Sequence, residues 1–183
     1  MILTVTLNAA IDKRYVVENY EVGEVNRVKE CAYVAGGKGL NVSKTATIAG
    51  AEVLATGFVG GHAGEYIIEA VEKQGVATDF VRVKGESRSC INIFDTVNRT
   101  QTEFLEPGVV VSEEEQRAFY LKFDALLPKC DVVAMSGSVP KGIGTDCYPK
   151  LVEMAKRAGK KVIVDTSGAL LTEAVKAKPH MVK

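Results

Sequence analysis

The stretch Val34-Ala35-Gly36-Gly37-Lys38-Gly39-Leu40-Asn41-Val42 lies between a strand-like segment and a segment with helical character. Glycine adopts positive φ without strain and lets a backbone come close to a ligand. The free N–H groups and the positive dipole end of the helix that follows favour an anion. Lys38 adds a full positive charge, and Asn41 lies about one turn further on, on the same side of the helix. The stretch predicts either a site for a small, polar, anionic ligand or a tight strand-to-helix turn with a solvated lysine.

The composition is that of an ordinary globular protein, with 46% hydrophobic and 25% charged residues among 183. Lys plus Arg equals Asp plus Glu at 23 each, so no net charge favours nucleic acid or a membrane surface. No apolar run could span a bilayer, and the N-terminus lacks the pattern of a signal peptide. The 4 cysteines form no CxxC pair, which is typical of free thiols rather than of a metal site. We therefore expect a soluble cytoplasmic protein with no bound metal and no nucleic-acid or membrane partner.

The hydrophobic pattern predicts an α/β protein whose mostly parallel sheet is flanked by helices. Its strands are expected at residues 1–7, 52–59, 80–83, 131–135 and 161–164, with another beginning at 180. Helices are expected at about 40–49, around 67–74, after a capping box at 112–115, after Thr145 as N-cap, and at about 169–176.

Two pairs of strand-like segments interrupt this alternation of strands and helices. Residues 14–20 and 27–34 form the first pair, and residues 88–94 and 101–105 form the second. No helical segment separates the members of a pair, so each pair predicts an antiparallel ribbon. The second ribbon can pair with the first to make a small sheet apart from the core.

Glycine and small polar residues follow several strands of the predicted main sheet, at 8–12, 57–64, 136–142 and 165–168. The carboxyl ends of parallel strands share one edge of a sheet, where ligands bind in open α/β proteins. We therefore expect these four segments to converge. Each signal alone is weak, since Asp12, for example, can equally be a turn or capping residue.

Known nucleotide-binding fingerprints do not match the glycine-rich stretch. A Walker A loop would need glycine at Ala32 and Ser or Thr at Gly39. A dinucleotide-binding G-x-G-x-x-G beginning at Gly37 would need glycine at Val42. A catalytic triad is not indicated either, because no nucleophile elbow accompanies the 2 histidines.

Four segments resemble the PfkB-type, ribokinase-like sugar kinases in sequence and in order: Gly36–Asn41, Gly57–Gly61, Ser136–Gly142 and Asp165–Gly168. Residues 8–12 match the family's Asn-Pro-x-x-Asp, with Ala9 in place of proline. The resemblance covers the whole chain and is greatest for 1-phosphofructokinases and tagatose-6-phosphate kinases. It implies that residues 1–183 are the N-terminal part of one ribokinase-like domain. Segments at about 13–35 and 87–105 would form a small antiparallel β lid, which closes over substrate and makes a homodimer interface.

The resemblance also implies roles on the sugar side of the site. Asp12, Gly37 and Asn41 match positions that bind sugar hydroxyls, and Lys38 lies in the same loop. The glycine-rich stretch is therefore expected to hold the sugar, with nucleotide phosphate bound elsewhere.

Three further residues match positions on the phosphate side. Arg88 matches a position that binds the phosphate of the substrate, and Ser138 matches another residue of the substrate site. Arg27 lies where relatives place a basic residue that reaches the phosphate bound by the neighbouring subunit. Without the resemblance, both arginines could be solvated charges that protect an edge strand from aggregation.

The implied activity is phosphorylation of a ketohexose monophosphate with ATP and Mg²⁺, such as fructose 1-phosphate to fructose 1,6-bisphosphate. Tagatose-6-phosphate kinase and 6-phosphofructokinase are alternatives, because residues 84–90 are closer to tagatose-6-phosphate kinases while 136–142 and 165–168 suit 1-phosphofructokinases. A ribose or nucleoside kinase fits less well, since a neutral sugar offers Arg27 and Arg88 no phosphate to bind. A non-catalytic sugar-phosphate-binding protein is the alternative outside enzymes.

Several family motifs are expected beyond residue 183. These are the Gly-Ala-Gly-Asp motif with the catalytic aspartate, the magnesium-linked Asn-x-x-Glu motif and most of the ATP pocket. Lys183 resembles the first residue of a Lys-Pro-Asn signature and is the one residue expected to contact ATP. The last strand lacks a following helix to cover the sheet, which indicates that the C-terminal portion is missing. We therefore expect this polypeptide to carry no catalytic residue and to be inactive.

Overall fold

Eleven strands and five helices alternate along the chain in the computed structural model, which describes residues 1–183. In chain order the strands are β1 (Ile2–Thr6), β2 (Ala10–Val17), β3 (Glu30–Gly36), β4 (Val53–Gly60), β5 (Ala77–Thr78), β6 (Val81–Val83), β7 (Arg88–Asp95), β8 (Thr100–Leu105), β9 (Val132–Ser136), β10 (Lys161–Asp165) and β11 (Met181–Val182). The helices are α1 (Lys38–Ile48), α2 (Gly61–Glu72), α3 (Glu113–Leu126), α4 (Cys147–Arg157) and α5 (Gly168–Lys176). None of the helices has both the length and the apolar character needed to cross a membrane.

The main sheet has seven strands in the order β11-β10-β9-β1-β4-β5, with β6 also paired to β4. Every pair in it is parallel, which confirms the predicted α/β sheet. Strand β1 lies between β4 and β9, so the residues that follow β1 emerge at the middle of the carboxyl edge. This edge is where ligands bind in open α/β sheets.

Helices cover both faces of the main sheet. Leu54 and Phe58 point into a cluster of 24 buried residues that includes Phe119 of α3. Ala55 and Val59, on the other face of the same strand, belong to a cluster of 10 residues that α1 and α2 complete. Since side chains alternate along a strand, β4 needs apolar residues at nearly every position.

The second sheet, here called the lid, has the order β3-β2-β7-β8. The pairs β2–β3 and β7–β8 are antiparallel, as predicted for the two ribbons. The junction β2–β7 is parallel, with Ala10 opposite Arg88 and Val17 opposite Asp95, so the lid is a mixed sheet rather than a purely antiparallel one. The reason is that β2 and β7 both leave the main sheet at its carboxyl edge, and both therefore run outward.

One predicted helix start is wrong. The expected capping box at α3 is present, because Ser112 Oγ accepts from Glu115 N and the Glu115 carboxylate accepts from Ser112 N. Thr145, however, does not cap α4, whose N-cap residue is Asp146. The N–H of Cys147 instead donates to the carbonyl of Gly144 at 3.2 Å, so a backbone turn starts this helix.

Candidate functional site

Two adjoining cavities lie between the carboxyl edge of the main sheet and the lid. The inner cavity, about 240 Å³, is lined by residues that follow β1, β9 and β10. The lid cavity, about 300 Å³, lies between the start of α1 and the strands β2, β7 and β8. Both are lined by Lys38, Arg88, Cys90 and Leu105. They therefore form one continuous cleft with two positive side chains at its centre.

The inner cavity is rich in hydroxyl and amide groups. Its polar lining residues include Thr6, Asn8, Ser136, Ser138, Thr166 and Ser167. The hydroxyl of Thr6 is buried and has no hydrogen-bond partner within the protein. The N-cap residues of α1 and α5, Gly37 and Ser167, make no side-chain cap, so the first N–H groups of these helices add to the positive potential here. Such a surface suits an oxygen-rich anion.

Arg88 is held in place by main-chain carbonyl groups. Its Nε and Nη2 donate to the Asn8 carbonyl at 3.2 and 3.1 Å, and its Nη1 donates to the Glu106 carbonyl at 3.1 Å. A guanidinium has five N–H donors, so one remains on each terminal nitrogen for a ligand. Because carbonyl groups are neutral, the full positive charge of Arg88 also remains for a ligand at the junction of the two cavities.

Asn8 links three segments around the inner cavity, although the sequence did not single it out as a site residue. Its Nδ2 donates to Ser138 Oγ at 3.2 Å and to the Pro107 carbonyl at 3.3 Å. Gly108 has φ +90, and a Cβ there would lie 2.2 Å from Asn8 Oδ1. Asn8 thus connects the end of β1, the loop after β9 and the exit of the lid. Its position directly after a central strand was the signal available in the sequence.

The lid cavity holds the residues that the sequence assigned to sugar hydroxyls. Asp12, Gly37, Lys38 and Asn41 all line it. The carboxyl group of Asp12 lies on the backbone of Gly36, where a Cβ would be 2.1 Å from Asp12 Cγ. Burial raises the pKa of Asp12 above its ordinary value, although nearby positive charges oppose this rise.

The register of the lid adds residues that the sequence did not identify. Asp12 is opposite Cys90, and Cys90 is opposite Leu105, so these three side chains share a face. Two positions further along the same face, Asn92 Nδ2 donates to Glu103 Oε1 at 3.0 Å. All five residues line the cleft. Which face a ribbon turns inward depends on how the lid joins the main sheet, and the local pattern does not contain that information.

The match to known proteins agrees with this geometry. The family model of pfkB carbohydrate kinases matches residues 5–183 of the chain. The chain belongs to the pfkB carbohydrate kinase family. This confirms the resemblance inferred from the glycine-rich stretch and the three other ordered motifs.

Several solved structures share the fold of this PfkB chain. A Thermotoga maritima protein described as a possible 1-phosphofructokinase has 35% identity and a TM-score of 0.93, with 100% of this chain and 59% of that protein covered. The tetrameric inhibited form of Escherichia coli phosphofructokinase-2 has 25% identity and a TM-score of 0.86, with 96% and 57% covered. The ribokinase of Arabidopsis thaliana shares the fold at 19% identity and a TM-score of 0.70, with 93% and 56% covered. The chain therefore spans somewhat more than half the length of these proteins.

Arg27 lies away from the cleft of its own chain. It is exposed in the loop between β2 and β3 and lines neither cavity. Its predicted contact with a phosphate bound by a neighbouring subunit stays a prediction.

The glycine-rich segment 57–64 reaches the expected carboxyl edge, since Gly57 is opposite Thr6 of β1, but none of its residues lines either cavity. Gly57 instead lets β4 lie close to β1, because a Cβ there would be 1.9 Å from the Thr6 carbonyl oxygen. At the start of α2 the carboxylate of Glu86 accepts from the N–H of Ala63. The carboxylate of Glu86 therefore occupies the N-terminal end of α2, where an anionic ligand would otherwise bind.

Lys183 lines a third, open cleft of about 550 Å³ that runs along the exposed side of α1. Lys38 and Asn41 also line it, and Lys38 Nζ lies 4.0 Å from Asp165 Oδ1. Lys38 thus lies between Lys183 on one side and the lid cavity on the other. A contact between Lys183 and ATP stays a prediction.

The kinases of this family use ATP and Mg²⁺. No group of three or more His, Cys, Asp or Glu side chains is arranged to hold a metal ion. The glycine-rich loop that could have held nucleotide phosphates faces the lid cavity, beside Asp12. These residues do not by themselves fit magnesium and nucleotide.

Proposed function

We propose that this chain forms the sugar-phosphate-binding part of a PfkB kinase that phosphorylates fructose 1-phosphate to fructose 1,6-bisphosphate. The observation that carries the proposal is the guanidinium of Arg88, fixed by three bonds to carbonyl groups and not neutralised by a carboxylate. A neutral sugar would leave that charge without a partner, whereas a phosphate binds it with charge-assisted hydrogen bonds. The 35% identity to a possible 1-phosphofructokinase supports this choice of substrate.

The two cavities support a separate position for each end of the ligand. The phosphate of the substrate would occupy the inner cavity, between Arg88 and Ser138. The sugar hydroxyls would face Asp12, Gly37 and Asn41 in the lid cavity. Lys38 lines both cavities and would support the charge between them. Phosphoryl transfer depends on positioning and on stabilising charge, and this part of the kinase would supply the positioning of the acceptor.

Ligand-induced stabilisation tests this proposal. We expect fructose 1-phosphate to raise the melting temperature of the chain, and ribose to have no effect. Arg88→Met should abolish the shift, while Arg82→Met, which removes an exposed arginine outside the cleft, should retain it. If tagatose 6-phosphate or fructose 6-phosphate gives a larger shift in melting temperature, that sugar phosphate replaces fructose 1-phosphate as the proposed substrate. A response to ribose equal to that to phosphohexoses would refute the phosphate assignment.

We also propose that a polypeptide of these 183 residues binds sugar phosphate without transferring a phosphoryl group. The Gly-Ala-Gly-Asp motif, which would supply the catalytic aspartate, does not occur in residues 1–183, and the loss of a general base alone costs about 10²–10⁴ in rate. A coupled kinase assay on this polypeptide with ATP and Mg²⁺ should show no turnover above a blank. Turnover that is lost in Asp12→Asn would contradict the proposal.

The lid is proposed to form a homodimer. On the face opposite Asp12 it exposes two large aromatic residues, Tyr33 and Phe104, by 49% and 51%. Large exposed apolar residues on one face commonly mark an interaction surface. In such a dimer Arg27 could reach the cleft of the partner. Sedimentation velocity should give a dimer for the chain and a monomer for Phe104→Glu; a monomer in both cases would exclude this interface.

A further inference from the structure

Lys44 lies on α1 beneath the sugar side of the cleft and has no role in the function proposed above. Its side chain is partly buried, and Nζ donates a hydrogen bond to the carbonyl of Ala35 at the end of β3. A lysine ammonium is strongly hydrated, so partial burial against a carbonyl group is costly unless a negative charge lies near.

The negative charge near Lys44 is Asp12. The Ala35 carbonyl that Lys44 binds belongs to the peptide preceding Gly36, and the carboxyl of Asp12 lies against Gly36. Strand pairing fixes this arrangement, because Ala10 of β2 is opposite Gly36 and Ile11 is opposite Ala35. The ammonium and the carboxylate thus approach the same short segment of β3 from α1 and from β2.

We propose that Lys44 is a positioning residue that keeps Asp12 ionised and fixed against β3 in the orientation that binds the sugar hydroxyls. This inference rests on the proposed function, in which Asp12 is a sugar ligand. It concerns a residue that does not line the cavity and would not touch the substrate.

The charges around Asp12 show why it needs a cation besides Arg88 to stay ionised when a phosphate is bound. The titratable groups that face it are Lys44 of α1, Arg88 and Cys90 of β7, Glu103 of β8 and Lys38 at the start of α1. Burial raises the pKa of Asp12, the positive charges of Lys44 and Arg88 lower it, and the charge of Glu103 raises it. Conversely, burial lowers the pKa of Lys44 and Asp12 raises it. When Arg88 binds a phosphate, its charge is shared with that phosphate, and Lys38 lies 4.0 Å from the carboxylate of Asp165. Lys44 therefore remains as the cation for Asp12.

The decisive measurement is the pH titration of the Asp12 carboxyl by ¹³C NMR in the unligated chain, with the resonance assigned from its loss in Asp12→Asn. We expect Lys44→Met to move the titration midpoint to higher pH and Lys44→Arg to leave it near that of the wild type. Lys73→Met, which removes an exposed lysine of the segment after α2 that pairs with Glu69, is the matched control and should not move it. An unchanged midpoint in Lys44→Met overturns the proposal, whether or not the chain binds sugar phosphate.

Affinity for fructose 1-phosphate as a function of pH gives the second readout. We expect affinity to fall at a higher pH in Lys44→Met than in the wild type as the solution is acidified. In Lys44→Arg, affinity should fall at the wild-type pH. If Lys44 only supported the backbone of β3, Lys44→Met would lower affinity equally at all pH values, and this result would also overturn the proposal. Failure of the wild-type chain to bind any phosphohexose would refute the proposed function, while the NMR titration would still decide the coupling of Lys44 to Asp12.

Discussion

Gly36 shows how one missing Cβ creates room for a carboxylate, that of Asp12. Asp12 Oδ1 and Oδ2 lie 2.4 and 2.1 Å from the position a Cβ would take at Gly36. Gly36→Ala must therefore displace Asp12. We expect affinity for fructose 1-phosphate to fall about 10- to 100-fold, the worth of a hydrogen bond to a charged group.

Isothermal titration calorimetry measures this loss, and Gly144→Ala is its control. A Cβ at Gly144 meets only the side chain of Asp146, outside the cleft. Equal affinities for Gly36→Ala and the wild type would show that Asp12 does not bind the sugar.

Asn8 offers a second test at the same scale. Asn8 is 8% exposed and its side chain donates to Ser138 and Pro107, so removing it leaves buried groups without partners. We expect Asn8→Ala to lower the free energy of unfolding by about 1–3 kcal/mol in urea titrations. Asn41→Ala, at an exposed position, should change it by about 0.5 kcal/mol or less. A wild-type midpoint for Asn8→Ala would show that Asn8 does not connect the lid to the main sheet.

Some individual residues could be predicted from the sequence and others could not. Asp12 and Arg88 were assigned to the cleft because they match a family motif, and the structure places both there. Asn8 and Lys44 act through partners on other elements, with a main-chain carbonyl among the partners of each. No local sequence pattern specifies such long-range contacts, so only the folded structure reveals them.

Within the lid, Asp95 organises the outer end of both hairpins. Its side chain is almost fully buried and accepts hydrogen bonds from the N–H groups of Asn19, Tyr20, Val97 and Asn98, and from Asn98 Nδ2. Burial alone would raise the pKa of Asp95, but these bonds outweigh it and hold the pKa far below its ordinary value.

The sign of this shift predicts acid sensitivity of the lid. The folded-state pKa is below the unfolded value of about 3.9, so the stabilisation is complete above about pH 4 and is lost as the pH falls toward the folded-state pKa. Hydrogen exchange at low pH should show declining protection of β2 and β7 in the wild type. Asp95→Asn should be less protected near neutral pH and nearly independent of pH. Parallel curves for the two proteins would contradict this role of Asp95.

At the scale of secondary-structure elements, the sequence predicted the features that depend on local pattern. Each lid hairpin was expected because no helix separates its strands, and both are present. The parallel junction between them was missed, because hydrophobic alternation shows neither the direction nor the neighbour of a strand. The two-residue strand β5 was also missed, since two residues cannot display a period.

The whole molecule depends on the larger core more than on the lid. Phe123 is fully buried in the 24-residue cluster, with its ring centroid 6.1 Å from that of Phe119. Phe123→Ala should lower the free energy of unfolding by about 3–5 kcal/mol in urea titrations. Val97→Ala, at an exposed position in the turn between β7 and β8 of the lid, should cost about 0.5 kcal/mol or less. Similar losses from both variants would show that the lid and the core unfold as equal parts of one unit.

The overall architecture followed from the sequence because parallel strands require apolar residues on both faces, and this requirement is visible along β4. Convergence of strand ends was predicted for four segments and holds for the ends of β1, β9 and β10. Residues 57–64 reach the same edge but line neither cavity, and Gly57 serves the packing of β4 against β1. The same residue type thus marks a ligand site in one turn and close packing in another.

The parallel pairing of β2 with β7 also bears on the order of folding. Ala10 and Arg88 are neighbours in the lid although about eighty positions separate them in the chain, and β4 and α2 lie between. Closing so long a loop costs entropy before any contact repays it, so pairs this distant form late. We expect the two hairpins to form early as separate units and to join only after β1 and β4 are paired. The cleft would then be the last part of the molecule to assemble during folding.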